Sequence, residues 1–111
     1  MATVSNLTID QGTTFSVTIG VTDDTGSARD LTGYTGRAQM KRSYYTNSNV
    51  AFTVTIDNPL AGEIILSLTS GQTTGLKAGR YVYDLELVET STSKVERVVE
   101  GIVTIYPEVT K

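Results

Sequence analysis

The chain has 111 residues, of which 39% are hydrophobic and 19% charged, and it carries a formal net charge of −3. These values are typical of one folded domain with a single core, and they exclude a disordered chain. The chain contains neither cysteine nor histidine, which excludes disulfides, thiolate metal sites and Ser–His or Cys–His nucleophile pairs. The acidic balance also disfavours a nucleic-acid partner, because phosphate binding requires a surplus of Lys and Arg.

Apolar and polar residues alternate along the first half of the chain, which predicts strands with one inward row each. A turn rich in aspartate follows the second strand, and a polar loop over 44–49 follows the third. The predicted inward rows are, in chain order, Leu7 and Ile9; Phe15, Val17, Ile19 and Val21; then Gly36, Ala38 and Met40.

The same alternation continues in the second half, where Pro59 marks a turn because proline cannot lie in a strand interior. The last strand is predicted over Val95–Tyr106, with Gly101 as the candidate for a bulge. Seven or eight strands are expected in all. The inward rows here are Phe52, Val54 and Ile56; Ile64, Leu66 and Leu68; then Tyr81, Tyr83, Leu85 and Leu87.

The segment around Tyr81 predicts the fold most specifically. A polar turn, then Ala78-Gly79, precede Tyr81 at the start of an alternating strand. This order is typical of a tyrosine corner, in which the ring enters the core and the hydroxyl returns to the backbone of the preceding turn. We therefore predict an all-β fold, a single immunoglobulin-like antiparallel β-sandwich over residues 1–111, with a small barrel as the alternative.

Four short segments occur in a fixed order: Ile9–Gly12, Asp30–Thr35, Gly62–Ile64 and Ala78–Tyr81. This set resembles small immunoglobulin-like domains of tailed-bacteriophage virion proteins, and is most similar to the N-terminal domain of the phage baseplate upper protein. The resemblance implies a virion structural protein, made in the bacterial cytoplasm, that binds other virion proteins in many copies. Baseplate upper proteins continue into a coiled coil and a receptor-binding-protein anchor, and neither segment is present in these 111 residues. We therefore expect a small accessory component of the tail, neck or baseplate rather than a complete baseplate upper protein.

Two other roles stay open: a capsid decoration (cement) protein, and a carbohydrate or host-surface adhesion module. Sugar sites usually stack rings on exposed aromatics, Trp above all, and this chain has no Trp. Sandwiches of this kind mostly hold partners rather than perform chemistry. We expect no enzymatic activity, no cofactor, no metal and no membrane partner, and a homo-oligomer within the particle is compatible with this interpretation.

One basic and aromatic cluster interrupts the acidic chain, and it is the candidate protein-docking site. Arg and Tyr often anchor interfaces, because they bury large areas and form directed hydrogen bonds. The alternative is a solvated strand end with loop tyrosines lying on their own sheet. A double change of Arg42 and Tyr45 to alanine is expected to leave folding intact, since neither residue belongs to an inward row. The members of the cluster are Arg37, Lys41, Arg42, Tyr44 and Tyr45.

Two further features receive ordinary structural interpretations. Asp23, Asp24 and Asp30 are close enough in sequence to suggest calcium, but their spacing matches no EF-hand loop, so a hairpin turn is expected. The arm over 1–6 and the tail over 107–111 are polar and are assigned to no core. Such ends either fray or add a strand to the sheet of a neighbour.

Overall fold

The computed structural model describes residues 3–23, 25–43 and 49–109. Within these ranges the chain forms nine strands, one turn of 3₁₀ helix over Pro59–Ala61 and one short α-helix, α1 over Ser70–Thr74. The strands are β1 Thr3–Val4, β2 Leu7–Asp10, β3 Phe15–Gly20, β4 Tyr34–Lys41, β5 Val50–Ala51, β6 Thr53–Asn58, β7 Glu63–Leu68, β8 Gly79–Glu89 and β9 Val95–Tyr106.

These strands form two sheets. In the larger sheet, β1 and β2 both pair with one side of β9, and the order continues through β8 and β4 to β5. The smaller sheet has the order β3–β7–β6. Among the described pairings β1 and β2 run parallel to β9, whereas the others are antiparallel. The prediction of a purely antiparallel sandwich is therefore wrong at this one edge.

The core lies between the two sheets and contains the predicted inward rows. The central strands β7 and β8 show the alternation most clearly, with every second residue buried from Ile64 to Leu68 and from Tyr81 to Leu87. Rows on outer strands are less covered, because an edge strand lacks a neighbour on one side; Phe15, Val17, Val54 and Ile56 are only partly buried. No helix in the described ranges is long and apolar enough to cross a membrane.

The irregularity in β9 lies three residues before the predicted position. The register with β8 shifts between Leu85 and Glu86, which face Val99 and Arg97, so Val98 is the extra residue. Both Val98 and Val99 are buried, which explains the unclear apolar phase of this segment. A bulge places two successive side chains on the same side of the sheet.

Gly101 has a different role from the predicted bulge. It pairs regularly with Tyr83 in the β8–β9 ladder. A Cβ atom at Gly101 would collide with the carbonyl oxygen of Ser5. Glycine is required here because the backbone of the N-terminal arm, residues 3–6, passes directly over it.

From Thr3 onward the N-terminal arm is part of the domain's own sheet, contrary to the expectation that it either frays or adds a strand to the sheet of a neighbour. Thr3 and Val4 pair with Val99 and Glu100 of β9. The Ser5 amide donates to the Glu100 carbonyl at 2.8 Å, and the Tyr83 hydroxyl donates to the Ser5 carbonyl. The arm is thus held by backbone pairing and by a tyrosine that reaches it from the core.

The turn before β8, which its sequence predicts only as a polar turn, contains α1. Thr69 accepts a hydrogen bond from the Gln72 amide, and the Gln72 side chain accepts one from the Thr69 amide, so the two form a capping box. Thr73 is fully buried, and its hydroxyl donates to the Thr13 carbonyl at 2.7 Å. The helix is therefore attached to the loop between β2 and β3.

The tyrosine corner forms as predicted. Tyr81 is 6% exposed, and its hydroxyl donates to the carbonyl of Lys77 at 3.0 Å. Gln11 supports the same turn, because its Nε2 donates to the Leu76 carbonyl at 2.8 Å. Its Oε1 accepts a hydrogen bond from the Glu108 amide at 3.0 Å, which fixes the first residues of the C-terminal tail.

Candidate docking surface

The outward side of the larger sheet carries a compact set of charges. Paired residues of neighbouring strands point to the same side of a sheet, so the register decides which charges meet. Arg37 of β4 faces Glu86 of β8, which faces Arg97 of β9; one row further, Asp84 faces Glu100. We call this set the charged face; it consists of Arg37, Lys41, Asp84, Glu86, Arg97 and Glu100.

Ion pairs connect most of the charged face. Arg37 Nε lies 2.7 Å from Glu86 Oε1, and Arg97 Nε lies 3.3 Å from Asp84 Oδ2. Arg97 Nη1 is 3.6 Å from a Glu100 oxygen. Each pair is partly exposed, so its contribution to stability is small. Their main effect is to orient the side chains on a rigid sheet.

Asp84 lies at the centre of this face. Burial, followed by the nearby charge of Glu86, raises the pKa of the Asp84 carboxyl above its usual value, and Arg97 opposes the shift. Two shallow depressions of about 220 and 290 Å³ adjoin it, and both include Gln39, Asp84 and Glu86. A cation that entered either depression would relieve the repulsion between these carboxylates.

The structure divides the predicted docking cluster. Arg37 and Lys41 lie on the charged face, where Lys41 occupies the row after Gln39 on β4. Arg42 does not belong to this face. Tyr44 and Tyr45 lie outside the described residues. Because Arg37 is paired with Glu86, the surface is of mixed sign rather than a basic patch.

Arg42 belongs to the tyrosine corner. Its guanidinium carbon lies 5.1 Å from the centroid of the Tyr81 ring, and its Nη1 donates to the Ala78 carbonyl at 3.1 Å. Gly79 adopts φ +128°, and a Cβ atom there would approach Arg42 Nη1 to 2.9 Å. Arg42 therefore contacts the core-facing tyrosine rather than a partner surface, and its stacked cation stabilises the ring that it covers.

A second concave region lies at the side of the sandwich, between β1, β9 and the end of β3. It has a volume of about 350 Å³. At one end Arg29 forms a bidentate ion pair with Glu96, with both N–O distances 2.9 Å, and lies over the Tyr34 ring. The hydrogen bond from Arg29 lowers the pKa of Glu96. These groups satisfy one another, and sequence reasoning missed them because the partners are 67 residues apart.

The predicted acidic turn uses its carboxylates to order the backbone. Asp23 Oδ1 accepts hydrogen bonds from the amide and hydroxyl of Thr25 at 2.9 and 2.6 Å and from the Ser27 amide at 3.1 Å. The bonds from Thr25 are the main reason why the pKa of Asp23 is lowered. Asp30 Oδ1 accepts from the Thr32 amide at 2.9 Å. Both are Asx turns; Asp24 lies outside the described residues.

Comparison with known proteins supports the fold. In sequence, the chain matches no protein-family model and no curated protein. In structure it is similar to InlP of Listeria monocytogenes, with a TM-score of 0.52 and 17% identity over 95% of this chain and 28% of that chain. It is also similar to the NK cell receptor Nkp44, with a TM-score of 0.49 and 14% identity over 96% of this chain and 99% of that one.

The likeness to InlP concerns the fold alone, and this chain spans little more than a quarter of the InlP chain. Together with the two-sheet topology and the tyrosine corner, it confirms the predicted all-β, immunoglobulin-like sandwich. Folds of this kind host many unrelated functions. The function must therefore be argued from the surface of this chain.

Proposed function

We propose that this chain is a non-catalytic protein–protein interaction module and a structural component of a bacteriophage virion, where it binds other virion proteins in many copies. The observation that carries the binding role is the charged face, an ordered set of carboxylates and cations on the rigid outer side of β4, β8 and β9. A tail, neck or baseplate accessory position ranks ahead of capsid decoration.

The charged face is suited to a protein partner for two reasons. One row of it alternates in sign across three strands and the next row pairs two carboxylates, Asp84 and Glu100, so the pattern can specify the orientation of a partner as well as its affinity. Asp84 and Glu86 lie on the same side of β8, and burial, followed by the charge of Glu86, raises the pKa of the Asp84 carboxyl; a cationic side chain of a partner would meet two neighbouring carboxylates there instead of one. Interfaces of this polarity are ordinary among non-obligate complexes.

The virion context rests on the resemblance of the ordered turn segments. Those segments have supporting roles in the fold: Gln11 bonds to the turn before β8, Asp30 orders its own turn, and Tyr81 forms the corner. The resemblance therefore concerns segments that hold the scaffold together, not the surface that would bind a partner. The partner surface has to be tested separately from it.

The test is incorporation of a double variant, Arg37→Ala with Lys41→Ala, into phage particles assembled in its presence. Both side chains lie on the outer side of β4, so the domain should fold normally. We expect the affinity for particles to fall about tenfold, which corresponds to about 1.4 kcal/mol of binding free energy. The difference from the unchanged protein should narrow at high salt, because salt screens exposed charges.

The matched control is Lys77→Ala with Lys94→Ala, which removes the same charge from exposed turn positions away from the charged face. Equal incorporation of both double variants would contradict a role of the charged face. Imaging of tagged protein on particles separates a tail position from capsid decoration. Failure to associate with particles, combined with binding on a glycan array, would replace the virion proposal with the adhesion alternative.

A further inference from the structure

The four sheet edges of the described chain differ in how well they are protected against pairing with another strand. In the larger sheet, β5 has two residues, and the opposite edge is interrupted between β1 and β2. In the smaller sheet, β6 contains a register shift between Thr55 and Asn58. Short, broken and irregular edges prevent strand addition.

The remaining edge, β3, has none of these protections. Its six residues, Phe15–Gly20, include no charged residue and no proline. All six pair with β7 in one unbroken register, from Phe15 opposite Leu68 to Gly20 opposite Glu63. A regular, uncharged edge of this kind is a template for another strand.

The free side of β3 carries a defined set of backbone groups. The Val21 amide donates to the Gly62 carbonyl at 2.7 Å, which places the odd-numbered residues of this segment in the hydrogen-bonded positions toward β7. Along an antiparallel strand, successive residues direct their backbone amide and carbonyl groups alternately toward the paired strand and away from it. The amides and carbonyls of Ser16, Thr18 and Gly20 therefore point away from β7, toward the open edge.

The inner side of the same edge is incompletely covered. Phe15 and Val17 are only partly buried although they pack on the core, whereas their β7 partners, Leu68 and Leu66, are 2% and 0% exposed. An added strand would cover this apolar surface. The edge thus offers both hydrogen-bonding groups and apolar area to an incoming strand.

We propose that a second copy of this chain occupies this edge, by antiparallel pairing of β3 with β3 across a twofold axis. With the axis at Thr18, Thr18 faces Thr18 of the second copy and Ser16 faces Gly20, so the outward-pointing backbone groups of all three residues are paired. On the inner side, Val17 faces Ile19 of the second copy. The two small sheets then form one continuous six-stranded sheet.

The sequence of β3 favours a second copy over a different partner. A twofold axis places the residue on the axis opposite its own symmetry mate, so a charge at that position would repel itself. This segment has no charge, and its central residue is a threonine, a type that pairs well with itself across strands. A charged partner segment would find no complementary group on this edge. The proposal is independent of the virion role, and its test uses the isolated protein.

The first test is the oligomeric state of the purified protein by sedimentation equilibrium. We expect a reversible monomer–dimer equilibrium. Thr18→Lys should weaken it at least tenfold, because it places two ammonium groups opposite each other on the axis. The matched control, Thr53→Lys, adds the same charge to the opposite edge of the same sheet and should dimerise like the unchanged protein. Circular dichroism should show the same fold in all three.

The second test uses the absence of cysteine in the chain. In the proposed pair the two Thr18 Cα atoms lie about 5.5 Å apart, a separation that a disulfide can span. Thr18→Cys should therefore form a covalent dimer under mild oxidation much faster than Thr53→Cys.

Several results would overturn the proposal. The first is that the protein stays monomeric up to about 1 mM. The second is that Thr18→Lys leaves the dimer unchanged or that Thr53→Lys also abolishes it. The third is that the two cysteine variants cross-link equally fast. Open-ended aggregation in place of a dimer would exclude the twofold arrangement. If Thr18→Lys fails to fold, the cross-linking comparison decides alone. Binding of this edge to a different protein by a monomeric chain would also refute the second copy as its occupant.

Discussion

Substitution of Tyr81 by phenylalanine removes a single hydroxyl from the tyrosine corner. The ring is 6% exposed, and its hydroxyl donates to the Lys77 carbonyl at 3.0 Å. Phenylalanine fills the same space, so the core should stay packed. The change therefore isolates the hydrogen bond that ties the start of β8 to the turn after α1.

The magnitude follows from the surroundings of the acceptor. A hydrogen bond contributes about 0.5–1.5 kcal/mol net, and a stranded buried acceptor costs about 1–3 kcal/mol. Lys77 is exposed, so water can reach its carbonyl once the hydroxyl is gone. We therefore expect a loss of about 1 kcal/mol in the free energy of unfolding, and a fall in Tm of about 4 °C.

Urea denaturation followed by far-UV circular dichroism measures this loss, and calorimetry gives the change in Tm. The matched control is Tyr106→Phe, since Tyr106 is 52% exposed at the end of β9. This change should stay within about 0.5 kcal/mol of the unchanged protein. If Tyr81→Phe is no more destabilising than the control, the corner contributes packing alone and the reasoning from its hydrogen bond is refuted.

Three further predictions concern stability. Arg42→Ala should lower the free energy of unfolding, measured by urea denaturation, by about 0.5–1 kcal/mol, because it uncovers the Tyr81 ring. Arg42→Lys should retain part of this stabilisation, and an unchanged free energy in Arg42→Ala would mean that the stacking is incidental. Gly101→Ala should cost about 1–3 kcal/mol, because its methyl group would collide with the N-terminal arm, whereas Gly20→Ala, with open space around the new atom, should be tolerated. Because the folded state raises the pKa of Asp84, ionisation of this carboxyl lowers the free energy of unfolding as the pH rises from the ordinary pKa of 3.8 through the raised pKa. Asp84→Asn should remove this fall from the pH profile of unfolding, and an unchanged profile would contradict the prediction.

Sequence alone determined the inward rows and the corner. Alternation with a period of two is a local property, and it fixes which side chains of a strand can share a face. The rows of β7 and β8 follow it without exception in the described chain. The corner was equally accessible, because Tyr81 and its acceptor Lys77 are only four residues apart.

Tertiary structure decided the features that depend on register between distant segments. The arm over Thr3–Val4 has no alternating pattern of its own, and its position follows from pairing with β9. The bulge at Val98 depends on how β9 aligns with β8. A glycine within a strand indicates either a bulge or the close approach of another backbone, and the sequence does not distinguish the two. The structure shows that the backbone of Ser5 passes over Gly101.

The candidate docking surface shows the same division. Sequence identified Arg37 and Lys41 as outward residues of one strand, but counted Arg42 with them because the three are neighbours in the chain. Arg42 stacks on Tyr81, and Arg37 pairs with Glu86, 49 residues away. The charge of each residue can be read from the sequence, whereas strand pairing determines which charged residues lie next to one another. Only the folded sheets could therefore reveal a face of mixed sign and an unprotected edge at β3.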